Sequence, residues 1–146
     1  MLYCSKEDIF TQMDKVKVKA QLQDSGEQGN EWEIKLEKLI SNATSEIDGF
    51  IRNRYSVPLS PVPAFIRDIC IRIVKYKIVM RKGFVEKAPE QVIVEDYKFA
   101  IRQLERVMKG ELDIGLQISS TESVTTPKVL VKTKKRIFDD EFWRGF

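Results

Sequence analysis

Asp139, Asp140 and Glu141 stand side by side near the end of the chain, and three carboxylates could in principle hold a divalent cation or serve as an acid/base pair. Adjacent positions on one stretch of backbone lack the fixed separation and the enclosing pocket that such chemistry needs. A carboxylate-dependent hydrolase would require paired acids at a set distance, and the sequence displays none. It contains no histidine, which removes Ser-His-Asp and Cys-His nucleophile systems and leaves zinc without its usual imidazole. Cys4 and Cys70 lie far apart in sequence and form no metal or redox spacing, so they read as two reduced thiols, with a disulfide as the lesser alternative. Gly-rich phosphate loops, CxxC pairs and nucleophile elbows are missing from the sequence. The expectation is a protein that is not an enzyme and needs no cofactor or metal.

The remaining chemistry is that of charge. Lys132, Lys134, Lys135 and Arg136 form a basic cluster, a candidate DNA-facing patch, which the three acids that follow would balance. Arg52 and Arg54 offer phosphate contacts and Tyr55 a stacking ring, but no second organised patch shares their element. Lys and Arg total 25 against 22 Asp and Glu, a net charge of +3, too mild to demand nucleic acid as a partner. Weak, non-specific DNA contact is the expectation, and a small DNA-binding module is the alternative reading. Asp48/Arg52 and Asp68/Arg72 are spaced i,i+4 with the acid first, the favourable order for a helix-surface ion pair. Alternatively, those charges face another subunit.

These residues must be positioned by elements, and the periodicity supplies them. The start, MLYCSKEDIF, has no basic region followed by an apolar one, and no apolar run reaches the roughly 18 residues of a membrane-crossing helix, so a soluble, unexported chain is expected. Ser5 with Asp8 resembles a capping box that opens a short helix to about residue 13. Val16, Val18, Ala20 and Leu22 alternate as a strand would, while their composition suits a second short helix nearly as well, and Asp24 to Asn30 reads as a loop, so the conformation of residues 14–30 stays open. Trp32, Leu36, Leu39, Ile40, Ala43, Ile47, Phe50 and Ile51 recur at three- and four-residue steps and predict a helix over 31–55. Gly49 inside it marks either close approach of a neighbour or a tolerated surface glycine.

Pro58, Pro61 and Pro63 then push Val57, Ser60 and Val62 out of helical conformation, predicting an extended, stiff spacer over 56–62 with Pro63 as the first residue of the next helix. That helix, 63–82, is apolar nearly all round and therefore central. Gly83 ends it, and Pro89 opens a third, 89–109, striped by Val92, Ile93, Tyr97, Ala100, Ile101, Leu104, Val107 and Met108. The fold class is mainly α: three long packed helices plus one or two short N-terminal ones, a helical domain over 1–110 and a C-terminal arm over 111–146. Leu116/Ile118 and Val129/Val131/Thr133 allow short strands in the arm. Phe138, Phe142, Trp143 and Phe146 crowd its end, and an aromatic-rich terminus calls for a partner or groove to cover it.

Tyr3-Cys4-Ser5 with Glu7-Asp8-Ile9, Ile47-Asp48-Gly49-Phe50-Ile51, Arg54-Tyr55-Ser56-Val57-Pro58-Leu59, Pro63 with Ile66-Arg67-Asp68-Ile69-Cys70, the Tyr97, Ala100, Leu104 stripe ending in Lys109-Gly110, and Arg144-Gly145-Phe146 form a pattern across most of the chain. It resembles the Mu-like phage and prophage family of head completion or head–tail connector proteins. The likeness rests on structural signatures; the chain departs from the family in its basic, aromatic tail insert and in Cys70, where a small residue such as alanine is more usual. The resemblance implies a mainly helical structural subunit that assembles with itself as a ring beneath the portal protein and docks tail or neck proteins. It implies a place in the host cytoplasm during assembly and in the neck of the particle afterwards, with no membrane role. Asp48, Arg52, Arg54, Tyr55, Phe138, Phe142, Trp143 and Phe146 are the candidate subunit or partner contacts.

Overall fold

The computed structural model describes residues 1–83 and 88–117, and within them the chain is built from five helices. Ser5 caps α1 (Lys6–Gln12) with the reciprocal pair its sequence announces: the Asp8 N–H donates to Ser5 Oγ at 3.2 Å, and the Ser5 N–H donates to Asp8 Oδ2 at 2.8 Å. The ambiguous segment that follows is helical, α2 (Lys15–Leu22), with Asp14 Oδ1 accepting the Val16 N–H at 2.9 Å. Val18 and Leu22, four residues apart, are buried, while Val16 and Ala20 face outward. The apolar spacing that matters here is therefore four and not two.

Helix α3 (Glu31–Ile51) buries Trp32, Leu36, Ile40, Ala43, Ile47 and Ile51 along the expected stripe and stops four residues short of the predicted end. Gly49 is exposed, and a Cβ there would meet nothing within 4 Å, so it is a surface glycine and not a packing contact. Helix α4 (Ala64–Met80) is central: it packs against α1, α2, α3 and α5 (Ala88–Lys109), which is why it is apolar on so many sides. Pro63 sits one residue earlier than predicted, as the N-cap with extended ψ of 145°, and its carbonyl accepts the Arg67 N–H at 3.1 Å. Pro89 falls in the first turn of α5, as expected. Gly83, just past α4, has φ of +94° and closes that helix with its N–H on the Met80 carbonyl at 3.3 Å.

The α3, α4 and α5 trio forms the core, and α1 and α2 close over it through α4 and α3. Burial of α5 rests on Ala100, Leu104 and Val107; its striped residues Val92 and Met108 are instead 61% and 40% exposed. Among the described residues no helix is long and apolar enough to cross a membrane. The later strand pairing, the basic cluster, the three adjacent acids and the terminal aromatics lie outside the described residues.

Candidate functional site

The joint between α3 and α4 gathers the distinctive residues of the sequence into one place. Its spacer is not a straight rod: residues 56–63 bend twice. The Val57–Pro58 and Ser60–Pro61 peptide bonds are cis, and Leu59 between them is 1% exposed. A buried backbone N–H requires a partner, and the Leu59 N–H donates to the Tyr3 hydroxyl at 2.9 Å.

Tyr3 is the pin of this joint. Its ring is 1% exposed, its N–H donates to Thr44 Oγ1 at 3.2 Å, and its hydroxyl donates to Asp48 Oδ1 in a very short contact. Burial first, then the Asp48 carboxylate, push the phenol far above its ordinary range, so it remains a donor at any physiological pH. One side chain thereby ties the N-terminal segment, α3 and the proline joint together. The expected side-chain pair of Asp48 with Arg52 gives way to this arrangement. The carboxylate is engaged by the buried tyrosine, and Arg52 donates from Nε to the Asp48 carbonyl oxygen at 3.4 Å. The parallel expectation holds: Arg72 Nε meets Asp68 Oδ2 at 2.8 Å, and its Nη1 reaches across to Asp96 Oδ1 on α5 at 2.7 Å.

Arg54 and Tyr55, also placed in advance as outward contacts, turn inward. Arg54 Nη1 donates to the Val107 carbonyl at 2.8 Å, a cation at the negative end of α5. Gly110 beside it has φ of +83°, a left-handed backbone that favours glycine, while a Cβ there would come into van der Waals contact with the guanidinium at 3.4 Å. Tyr55 is 1% exposed, its hydroxyl donates to Asp113 Oδ1 at 3.2 Å, and it accepts the Ile114 N–H at 3.4 Å. The first residues after Gly110 thus lie on the core, with Ile114 buried and Leu112 and Leu116 packed against it. Of the four joint residues singled out beforehand, Arg52 alone is exposed, while Asp48 and Arg54 are half-buried and Tyr55 is buried.

Sequence reasoning placed Tyr3 and Leu59 in the family pattern but assigned them no contact, and it missed Thr44 and Asp113. Thr44 carried a signal, being a polar residue on an apolar helical stripe; the partners of Tyr3 and Asp113 lie 45 and 58 residues away, where no local pattern points to them. A second knot holds the opposite end of the bundle. Asp24 accepts from Lys35 Nζ and Arg81 Nη2, both at 2.6 Å, Glu27 pairs with Lys35, and Lys82 Nζ donates to the Gln23 carbonyl at 2.9 Å. Lys35 foremost and then Arg81 hold the Asp24 carboxyl down to about 2.

Chemically, the arrangement holds chain segments in register. Among the described residues no group of three or more His, Cys, Asp or Glu side chains could hold a metal ion. Such a compact helical scaffold, fastened by its own polar signature residues, is the class to which the sequence pattern pointed. Residues 3–133 match the family described as "Bacteriophage Mu, Gp36", and the chain belongs to that family. It is 31% identical over 118 residues to the Mu-like prophage FluMu protein gp36 of Haemophilus influenzae, covering 80% of this chain and 77% of that one. It is also 26% identical over 87 residues to gene product J of Escherichia phage Mu, covering 60% and 57% of the two chains.

Proposed function

We propose that this phage protein is a structural subunit of the particle, a head completion or head–tail connector protein that forms a homo-oligomeric ring below the portal and docks tail or neck proteins. It carries out no catalysis in that role. It is made in the host cytoplasm and ends in the neck of the particle. Family membership supports a phage role, and the observation that carries the finer reading is an exposed apolar flank of α5. There Val92 and Phe99, seven residues apart and so on one side of the helix, are 61% and 43% exposed beside the side that buries Ala100, Leu104 and Val107, with the Arg72 guanidinium 5.4 Å from the centre of the Phe99 ring. A small bundle whose joint is already fastened internally presents this face, with Arg52, to neighbouring copies. Phe138, Phe142, Trp143 and Phe146 are assigned to partner contact, and Lys132, Lys134, Lys135 and Arg136 to weak contact with DNA in the channel.

The test is the mass of the full chain in solution over a range of concentrations, alone and mixed with assembled portal. Discrete oligomers or a portal complex, both weakened by Phe99→Asp with the helical content unchanged, are expected. A chain that stays monomeric at high concentration and ignores portal overturns the reading.

A further inference from the structure

Cys4 and Cys70 are 66 positions apart in sequence, yet the fold sets their sulfurs 3.3 Å from each other, with the Cys4 thiol donating to Cys70 Sγ. Both are free thiols and both are buried, at 5% and 0% exposure. The two differ in access. Cys4 lines a surface groove of about 770 Å³ shared with Met1, Leu2, Ser60, Val62 and Arg67, whereas Cys70 lies behind it on the buried face of α4. We propose that the pair is an oxidation site: a dithiol that closes to an intramolecular Cys4–Cys70 disulfide when a disulfide-type oxidant reaches Cys4 through this groove.

The step balances as a double exchange. The Cys4 thiolate attacks one sulfur of an oxidant RSSR, forming a Cys4–S–S–R mixed disulfide and expelling RS⁻, which takes up the proton that Cys4 released. Cys70 then gives up its proton and attacks Cys4 Sγ, expelling the second RS⁻, which is protonated in turn. Two protein thiols are oxidised to one disulfide, and one oxidant disulfide is reduced to two thiols. Closure needs the sulfurs to move from 3.3 Å to roughly 2.0 Å, a shift within reach of side-chain rotation and small backbone adjustment.

The hydrogen bond to Cys70 and then burial raise the Cys4 thiol, while the nearby Arg67 charge works against them. Thiolate is therefore scarce at neutral pH, and the exchange should be slow there and faster in alkali. A reducing cytoplasm keeps the pair as thiols, and an oxidising medium closes it. The consequence is mechanical. The cross-link would fix to α4 the same N-terminal segment whose Tyr3 grips Asp48 and the Leu59 N–H, making the joint permanent. This inference stands on the thiol geometry and is independent of the connector reading.

The experiment treats the full chain with oxidised glutathione at pH 8 to 9, then counts titratable thiols and measures intact mass. Loss of both thiols, a mass lower by two hydrogens, monomeric migration without reductant and a melting temperature higher by several degrees, all reversed by dithiothreitol, are expected. Cys70→Ala should stop at a single glutathione adduct on Cys4, and Cys4→Ala should acquire none. Two thiols still titratable in the treated native chain, cross-links between chains only, or an adduct on Cys70 in Cys4→Ala would each overturn the proposal.

Discussion

Removing one oxygen atom tests the joint most directly. In Tyr3→Phe the ring still fills its buried site, but the Leu59 N–H loses its acceptor and the Asp48 carboxylate its donor. Leu59 is 1% exposed, so water cannot readily replace the hydroxyl, and a stranded buried N–H costs about 1–3 kcal/mol. Asp48 is only half-buried and can be partly rehydrated, which reduces its share to about 1 kcal/mol. The total, about 2–4 kcal/mol, corresponds to a melting temperature lower by roughly 10 °C for a domain of this size. Tyr55→Phe is the internal control. Its hydroxyl meets an exposed Asp113 and a long 3.4 Å contact from the Ile114 N–H, so about 1 kcal/mol or less is expected. Urea unfolding followed by circular dichroism gives both values, and hydrogen exchange adds a local readout, since the Leu59 amide should lose protection in Tyr3→Phe beyond the global change. If Tyr3→Phe lies within about 0.5 kcal/mol of the parent, or if Tyr55→Phe costs as much, the pin does not hold the joint.

Gly49→Ala should stabilise the chain by about 1 kcal/mol, because the glycine is exposed within α3 and a Cβ meets no atom within 4 Å; a lower urea midpoint would contradict this. The Asp24 knot predicts a pH effect with a definite sign. A carboxyl held at about 2 against an ordinary 3.8 contributes stability that is present above the unfolded value and is lost as pH falls from about 4 through 2, so Asp24→Asn should flatten the acid limb of the stability curve in that window. Equal acid sensitivity in the variant would remove Asp24 from the account. Duplex DNA should bind the isolated full chain weakly and without sequence preference, since a net charge of +3 supplies few phosphate contacts. A tight, sequence-selective complex at physiological salt would instead favour the DNA-binding alternative.

By itself the sequence determined the helices, because an apolar stripe at three- and four-residue steps is a local code. Trp32, Leu36, Ile40, Ala43 and Ile47 could bury together only on one face of a helix, and the capping pair of Ser5 and Asp8 needs nothing beyond its own turn. The central place of α4 was also legible, since a helix apolar nearly all round has nowhere else to go. The segment at residues 15–22 was not, because four apolar residues at even spacing satisfy a strand as well as a helix until a neighbour selects Val18 and Leu22 for burial. Membership of the family was legible in the joint's signature residues. What those residues touch was decided only by the tertiary structure. Asp48 had a ready partner four positions away, and a tyrosine 45 positions away displaced it, because a buried hydroxyl with no water to bind competes harder for a carboxylate than an exposed guanidinium does. The same holds for Cys4 and Cys70. Local chemistry acts along the chain and can be read there, whereas contacts 45 to 66 positions apart exist only once packing has brought their elements together.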